Sequence, residues 1–200
     1  MAEDVFDVVS TGEELDALPD DASASDIWRR LYGHDSASLP ANLAYRLRTL
    51  EAFAYLRQES AAGTLGGASL AADWTTRVLN SVEFDSGIVE SLVGNVFTLG
   101  PGTYFLEARA PAFQVFKHKA AITSSGDVAL LPGASAFAQN NVSSDAWVRG
   151  VLVLEEDTEL KLRHWTQTAV ADVGLGVDSG NDGASLPEIY SEVLVSRLRT

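Results

Sequence analysis

The chain has 200 residues, no cysteine and a formal net charge of −14 at pH 7. The lack of cysteine excludes disulfides and thiol chemistry, and the acidic balance argues against nucleic-acid binding because it would repel a phosphate backbone. No apolar run approaches the roughly 18 residues of a membrane span. With 46% hydrophobic residues, the composition is that of a soluble globular protein with one domain of about 120 residues and an accessory segment.

Residues 1–26 form an acidic segment, in which nine Asp or Glu residues precede the first basic residue, Arg29. Such a composition buries little apolar surface on its own, so we interpret it as a docking segment that orders against a partner. A solubilising tail is the alternative. The segment lacks the basic start and apolar core of a secretory signal, and we therefore expect the chain to be made in a cytoplasm.

Residues 27–59 carry a helical pattern that predicts a stalk. Asp26 is a candidate N-cap for a short helix ending at Gly33, and Ser38 is one for a second helix that continues to about Glu59. Apolar residues of this second helix recur at spacings of four, three and four, at Leu43, Leu47, Leu50 and Ala54. Isolated helices of this length are marginal, so the seam needs partners, and three identical helices would supply them. Packing on its own chain is the alternative.

Residues 60–74 contain three glycines and many small residues, which predicts a linker. Residues 75–200 then alternate apolar and polar side chains between turns, as antiparallel strands with one buried face do. Strands are predicted over residues 75–84, 95–99, 103–110, 112–123, 128–131, 145–154, 158–168 and 188–198. The expected fold class is therefore mainly β, an antiparallel jelly-roll sandwich preceded by a short helical N-terminal segment.

Several short motifs occur in these strands in a fixed order. They are Phe97-Thr98-Leu99, Gly102-Thr103-Tyr104, Lys117-His118-Lys119, Leu162 with His164, and Glu188 with Tyr190. In this order they resemble the jelly-roll domain at the distal end of many bacteriophage tail fibres and related virion fibres, a relative of the tumour-necrosis-factor-like trimers. The resemblance covers roughly residues 75–200. It implies a homotrimer, a virion context and a head domain that meets the cell surface.

His118 and His164 share strand parity with apolar neighbours, so both rings are expected to point into the core or the subunit seam. We interpret them as buried, hydrogen-bonded histidines. The alternative is a transition metal held on a threefold axis by three symmetry-related copies, since neutral imidazole is a good metal ligand. We expect no metal and no cofactor.

No nucleophile elbow, phosphate loop, His-Glu-x-x-His motif or Cys/His cluster is present in the sequence. The acidic cluster at residues 155–159 lies at a predicted hairpin tip, where no burial would raise a carboxyl pKa for glycoside hydrolysis. The loop at residues 178–188 only partly matches a calcium loop, because its closing Glu has the wrong offset. We therefore expect the protein not to be an enzyme.

Most of the large aromatic residues are expected in the core, because a domain of this size needs several of them to fill it. Trp165 is the exception, since its strand face also carries Lys161 and Arg163. It is the candidate for a surface ligand contact or an intersubunit contact.

The sequence thus predicts a non-enzymatic bacteriophage structural protein, made in the host cytoplasm and located in the virion. It would form a short trimeric fibre on the tail, baseplate or capsid, dock on other virion proteins through its N-terminal segment, and contact a host cell-surface glycan or receptor through its head. Multivalency would make one weak site per subunit useful. The alternatives are a capsid decoration or head-fibre protein with a stabilising or weak glycan-adhesion role, and a carbohydrate-binding module of cellular origin.

Overall fold

The computed structural model describes residues 52–180 and 186–198, which contain eleven β-strands and no helix. The strands are β1 (Phe53–Ser60), β2 (Asp73–Thr76), β3 (Ser81–Asp85), β4 (Val89–Val93), β5 (Val96–Leu99), β6 (Gly102–Phe113), β7 (Phe116–Ser124), β8 (Ala129–Ala138), β9 (Ser143–Leu154), β10 (Thr158–Thr166) and β11 (Glu188–Leu198). No helix suited to crossing a membrane was found within these two ranges.

The strands form two antiparallel sheets. The first sheet has the order β3-β1-β11-β6-β9, and the second has the order β4-β5-β10-β7-β8. β10 pairs with β7 along one edge, and its other edge is shared by β5 at Leu160 and by β2 at Trp165. Because strands distant in sequence lie side by side, as β11 does between β1 and β6, the topology is that of a jelly roll. The predicted antiparallel sandwich is confirmed.

The core lies between the sheets and is built by strict alternation along the strands. Inward-facing residues of β6 and β10 are at most 1% exposed, among them Leu106, Leu160 and Leu162. Each fully buried leucine contributes about 1.5–3 kcal/mol to folding. The same alternation sends the intervening residues of both strands to the outer faces of the sandwich, where ligands and partners can reach them.

The predicted helix is wrong over its last residues. Phe53–Ser60 forms β1, which pairs with β3 on one edge and β11 on the other. Its apolar residues fit either period over so short a run, and pairing on both edges satisfies the backbone of a strand here. Ala54, predicted in the trimer seam, is fully buried in the sandwich core. The other predicted seam residues, Leu43, Leu47 and Leu50, lie outside the described residues, as does the acidic segment.

The predicted linker is part of the head. The Gly66 amide donates to Gly176 O at 2.9 Å, and the Leu175 amide donates to Gly67 O at 2.9 Å. A Cβ at position 66 would lie 2.8 Å from the backbone of Gly176, so this close approach requires glycine. Residues 61–72 therefore pack on the sandwich, and the jelly roll begins at Phe53 rather than at residue 75.

Several predicted strand limits also change. The predicted strand at residues 75–84 is divided into β2 and β3, and β4 was not predicted. β8 continues to Ala138 although Pro132 and Gly133 resemble a turn. A Cβ at Gly133 would lie 2.5 Å from Trp147 O, so this glycine serves a close approach of β8 to β9 rather than a turn.

Candidate functional site

The outer face of the second sheet carries a row of four side chains from four adjacent strands. The register places Trp74 of β2 opposite Trp165 of β10, Trp165 opposite Lys119 of β7, and Lys119 opposite Ser135 of β8. Paired strands are about 4.8 Å apart, so the row spans roughly 14 Å. Lys117 lies two residues along β7 and therefore on the same face.

These residues line a cleft of about 270 Å³, together with His118 and Ala136. Both tryptophans are partly buried, and both lysines are exposed. The Lys119 Nζ atom lies 5.7 Å from the centroid of the Trp74 ring, which is within cation–π range. We call the site formed by Trp74, Trp165, Lys117, Lys119 and Ser135 the Trp–Lys cleft.

The charge around this cleft is unusual for so acidic a chain. All three lysines of the protein, Lys117, Lys119 and Lys161, lie on the outer faces of β7 and β10. Lys161 Nζ is 2.7 Å from Asp127, which also pairs with Arg163. Hydrogen bonds from Arg163 and Lys161 lower the pKa of Asp127 to about 2. Within the described part of the chain, no carboxylate lies within 4.0 Å of Lys117 or Lys119.

Two histidines lie behind the cleft, inside the sandwich. His118 is 1% exposed and His164 is fully buried, so their rings point into one subunit's core and not to a subunit seam. His118 Nδ1 is 2.9 Å from His164 Nε2, and His118 Nε2 is 2.8 Å from Ser144 Oγ. Among the residues with described positions, no cluster of three or more potential metal ligands was found.

The hydrogen bonds fix the tautomers of both rings. The Ser144 hydroxyl donates to Phe137 O at 2.9 Å, so it accepts from His118 Nε2–H. His118 Nδ1 must then accept from His164 Nε2–H, since a neutral imidazole has one donor and one acceptor. The chain of bonds runs from His164 through His118 and Ser144 to the backbone of β8, and it requires His118 to be neutral because His118 Nδ1 accepts a hydrogen bond.

Burial, reinforced by a neighbouring buried arginine, keeps the histidines neutral. Arg77 is 1% exposed, and its guanidinium donates to Leu175 O at 2.8 Å and Pro111 O at 3.4 Å. Desolvation lowers the pKa of Arg77 to about 9. Desolvation and the charge of Arg77 lower the pKa of His118 to about 4 and the pKa of His164 well below its usual value. Neither ring is therefore charged near neutral pH.

The outer face of the first sheet has a different character. The rings of Phe53 and Phe84 stack with centroids 4.4 Å apart at one edge, and Val151 and Val153 of β9 are 53% and 65% exposed at the other. A hollow of about 520 Å³ extends from the phenylalanine pair to Trp147 of β9. We call this surface the aromatic face. The hollow within this face is lined by Phe53, Tyr55, Phe84, Glu107, Arg109, Trp147, Glu192 and Leu194.

The charged groups of the aromatic face are paired with one another. Glu192 accepts hydrogen bonds from the Tyr55 hydroxyl and from Arg109 Nε. Arg149 Nε is 2.6 Å from Glu107, and its guanidinium lies 4.7 Å from the centroid of Trp147. Burial and the bond to Glu192 raise the pKa of Tyr55 to about 12. A partner could cover this face without burying an unpaired charge, because these charged groups already form ion pairs with one another.

The motif residues from the sequence do not form one site. The buried Tyr104 donates its hydroxyl to Gly100 O at 3.0 Å, and the buried Tyr190 donates to Thr64 O at 2.5 Å. Both tyrosines thus hold loops on the sandwich. Lys119 and Trp165 meet in the Trp–Lys cleft, while His118 and His164 meet beneath it.

Sequence reasoning missed Trp74, Lys117 and Ser135 as members of the cleft. Lys117 could have been found, because it shares its strand parity with Lys119. Trp74 could not, because it falls at the end of the predicted linker and reaches the site only through the pairing of the four-residue strand β2 with β10.

No protein-family model matches the chain, and no curated protein matches it. Among solved structures, murine APRIL at pH 8.0 is similar with a TM-score of 0.50 and 13% identity, over 74% of this chain and 99% of that one. The globular domain of zebrafish complement 1qA protein has a TM-score of 0.44 and 17% identity, over 74% of this chain and 97% of that one. At such low identity the similarity to APRIL concerns the fold alone, and it agrees with the jelly-roll sandwich formed by the described strands.

Proposed function

We propose that the protein is a non-enzymatic homotrimer whose jelly-roll head is the cell-contacting end of a short virion fibre. The observation that carries the trimer is the aromatic face. Large apolar side chains are exposed at both edges of this face, and clusters of exposed apolar residues often mark an interface. The occupants are two further copies of the same chain.

The two edges of the aromatic face differ, and this favours a ring of copies. Phe53 and Phe84 lie on β1 and β3 at one edge of the first sheet, whereas Val151 and Val153 lie on β9 at the other. A contact between unlike edges of successive copies is heterologous, and heterologous contacts form a ring when the rotation from copy to copy closes. The aromatic edge of one copy would pack against the valine edge of the next.

The sequence before the head supports the same stoichiometry. The heptad-spaced leucines end at Leu50, three residues before Phe53, whose side chain lies on the aromatic face. A seam that gathers three chains would deliver three copies of this face to one another. Two neighbouring features of one chain thus favour self-association in a small ring.

The virion role rests on the ordered motifs at residues 97–104, 117–119, 162–164 and 188–190, and on the acidic N-terminal segment as the docking element. A head without catalytic chemistry suits this role, because three weak sites on each of many fibres raise the effective concentration of ligand.

Light scattering of the full chain tests the trimer, with an expected mass of about three times 21.3 kDa. Val151→Glu should dissociate it, because the change places a charge in the interface. Val128→Glu is the matched control, since Val128 is 63% exposed and lies outside the aromatic face. A monomeric wild type at micromolar concentration, or equal behaviour of both variants, would contradict the proposal.

The docking role needs a separate test. A chain lacking residues 1–26 should remain trimeric yet fail to be incorporated into particles of the parent phage. Labelling of purified particles with an antibody against the head measures incorporation. Particles decorated normally by the truncated chain would show that the acidic segment is not the docking element.

A further inference from the structure

We propose that the Trp–Lys cleft binds an acidic saccharide, a sugar that carries a carboxylate on or beside its ring. The inference rests on the proposed function in one respect: it assigns a ligand class to the cell-contacting head. The observations that carry it are independent of the trimer, because the cleft and the aromatic face lie on different sheets.

The two tryptophans provide a fixed platform for a sugar ring. Trp74 and Trp165 are directly opposed in the register of β2 and β10, and the guanidinium of Arg163 donates to Trp74 O at 3.1 Å. Each indole combines a flat apolar surface, suited to the C–H face of a sugar, with an N–H donor for a sugar hydroxyl. Because the platform is built on strands rather than on a loop, little ordering is needed on binding.

The lysines provide the charge that selects an acidic sugar. Lys117 and Lys119 are exposed, lie beside the platform and lack a carboxylate neighbour within the described residues. An ammonium group that approaches a carboxylate forms a charge-assisted hydrogen bond, which is stronger than a bond to a neutral hydroxyl. Ser135, opposite Lys119 in the register, adds a hydroxyl that can donate or accept.

Size and overall charge narrow the ligand further. A cleft of about 270 Å³ is just below the roughly 300–1,000 Å³ of sites for drug-sized molecules, so it suits one or two sugar rings. A densely charged polyanion would be repelled by a chain with a net charge of −14, as would a nucleic acid. A sugar with one carboxylate can satisfy the two lysines without that repulsion.

Calorimetric titration of the full chain, followed in parallel by tryptophan fluorescence, tests the inference. The probes are short galactose oligosaccharides that carry a single galacturonate, glucuronate or sialic acid at one end, and a neutral galactose oligomer of the same length. At least one acidic probe should bind the wild type about tenfold more tightly than the neutral one. Lys117→Gln and Lys119→Gln should each weaken that binding by roughly tenfold, and Trp165→Ala should weaken it by at least threefold.

Lys161→Gln is the matched control, because it removes the same charge from the same sheet face at a lysine already paired with Asp127. It should leave affinity within about twofold of the wild type. Trp165→Phe, which keeps a flat ring, should recover most of the binding lost in Trp165→Ala.

Four results would overturn the inference: no acidic probe binds, the neutral oligomer binds equally well, Lys161→Gln weakens binding as much as Lys119→Gln, or a glutamate-rich peptide binds more tightly than any saccharide. Light scattering of the same samples keeps this separate from the proposed function. If the chain is a trimer but binds no saccharide, the proposed ligand is wrong and the proposed trimer stands. If the chain is a monomer but binds an acidic saccharide, the proposed trimer is wrong and the proposed ligand stands.

Discussion

The outer faces of the two sheets obey the same alternation of strand residues, yet they have opposite chemistry. On the aromatic face of the first sheet, carboxylates and guanidinium groups are paired across strands, and large apolar side chains are exposed at its edges, as at Val151 and Val153. On the second sheet, Lys117 and Lys119 project beside two tryptophans with no carboxylate near them in the described residues.

The difference teaches how to tell an interface from a ligand site on one small sandwich. The charged groups of a surface that a protein partner covers need to form ion pairs within that surface, because a buried unpaired charge costs several kcal/mol. A surface that is to attract a charged ligand must leave its charges unpaired until the ligand arrives. The aromatic face meets the first condition, and the Trp–Lys cleft meets the second.

The largest expected effect concerns the unlike edges of the aromatic face. Phe84→Lys and Val151→Glu should each convert the proposed trimer to monomers, because each places one charge in the proposed interface. The double variant carries both charges on each chain, so every contact between successive copies would pair Lys with Glu, and we expect part of the trimer mass to return in light scattering. Absence of any rescue would show that these two edges do not meet.

The second-largest expected effect concerns the core, which supports the outer faces of both sheets. Leu106 of β6 is fully buried between the sheets, and Leu106→Ala should lower the free energy of unfolding by about 2–5 kcal/mol through lost burial and the resulting cavity. Urea denaturation of monomeric backgrounds, made with Val151→Glu, measures it without the trimer. A loss below about 1 kcal/mol would mean that the core relaxes around the cavity far more than close packing allows.

The fold could be predicted from the sequence where alternation is strict. The strand predicted at residues 188–198 coincides with β11, and the one predicted at residues 158–168 matches β10 within two residues. β1 could not be found, because the run from Phe53 to Ser60 continues a helical spacing and is short enough to satisfy either period. Its conformation is decided by the edges of β3 and β11, which no local pattern reveals.

The candidate site divides in the same way. The outward orientation of Trp165 was predictable, because it shares a face with Lys161 and Arg163. The neighbours of Trp165 were not, since Trp74, Lys119 and Ser135 come from strands far apart in sequence and meet only through the register. Strand period shows which side a residue faces, but only the topology shows what lies beside it.

A smaller effect concerns His118 of the second sheet, whose protonation makes the stability of the fold depend on pH. The folded state protonates His118 only near pH 4, whereas the unfolded chain does so near pH 6.5. The unfolded state therefore binds more protons between these values, so this part of the stability is complete above about pH 6.5 and is lost as the pH falls toward 4. His118→Gln should flatten this region of the stability curve, measured by urea midpoints from pH 7 to pH 4.5.

The comparison with the variant is needed because carboxylates also titrate over part of this range. Only the difference between the two curves reports on His118 and on its partners His164, Ser144 and Arg77. Parallel curves would mean that His118 accepts a proton without loss of stability, contrary to the hydrogen-bond chain, in which His118 Nδ1 must accept from His164.

The smallest expected effect concerns Asp127, whose removal would add unpaired positive charge to the outer face of the second sheet. Asp127 is more than half exposed, so Asp127→Asn should leave stability almost unchanged, as exposed ion pairs contribute little. However, it would leave Arg163 without its carboxylate partner. Arg163 lies two residues from Trp165 along β10 and therefore roughly 7 Å from it. That distance is within the roughly 10 Å screening length at 0.1 M salt. Affinity for an acidic saccharide should rise about two- to threefold at low salt, and the gain should disappear at 1 M salt. An unchanged affinity at low salt would mean that only Lys117 and Lys119 determine the charge that the ligand meets.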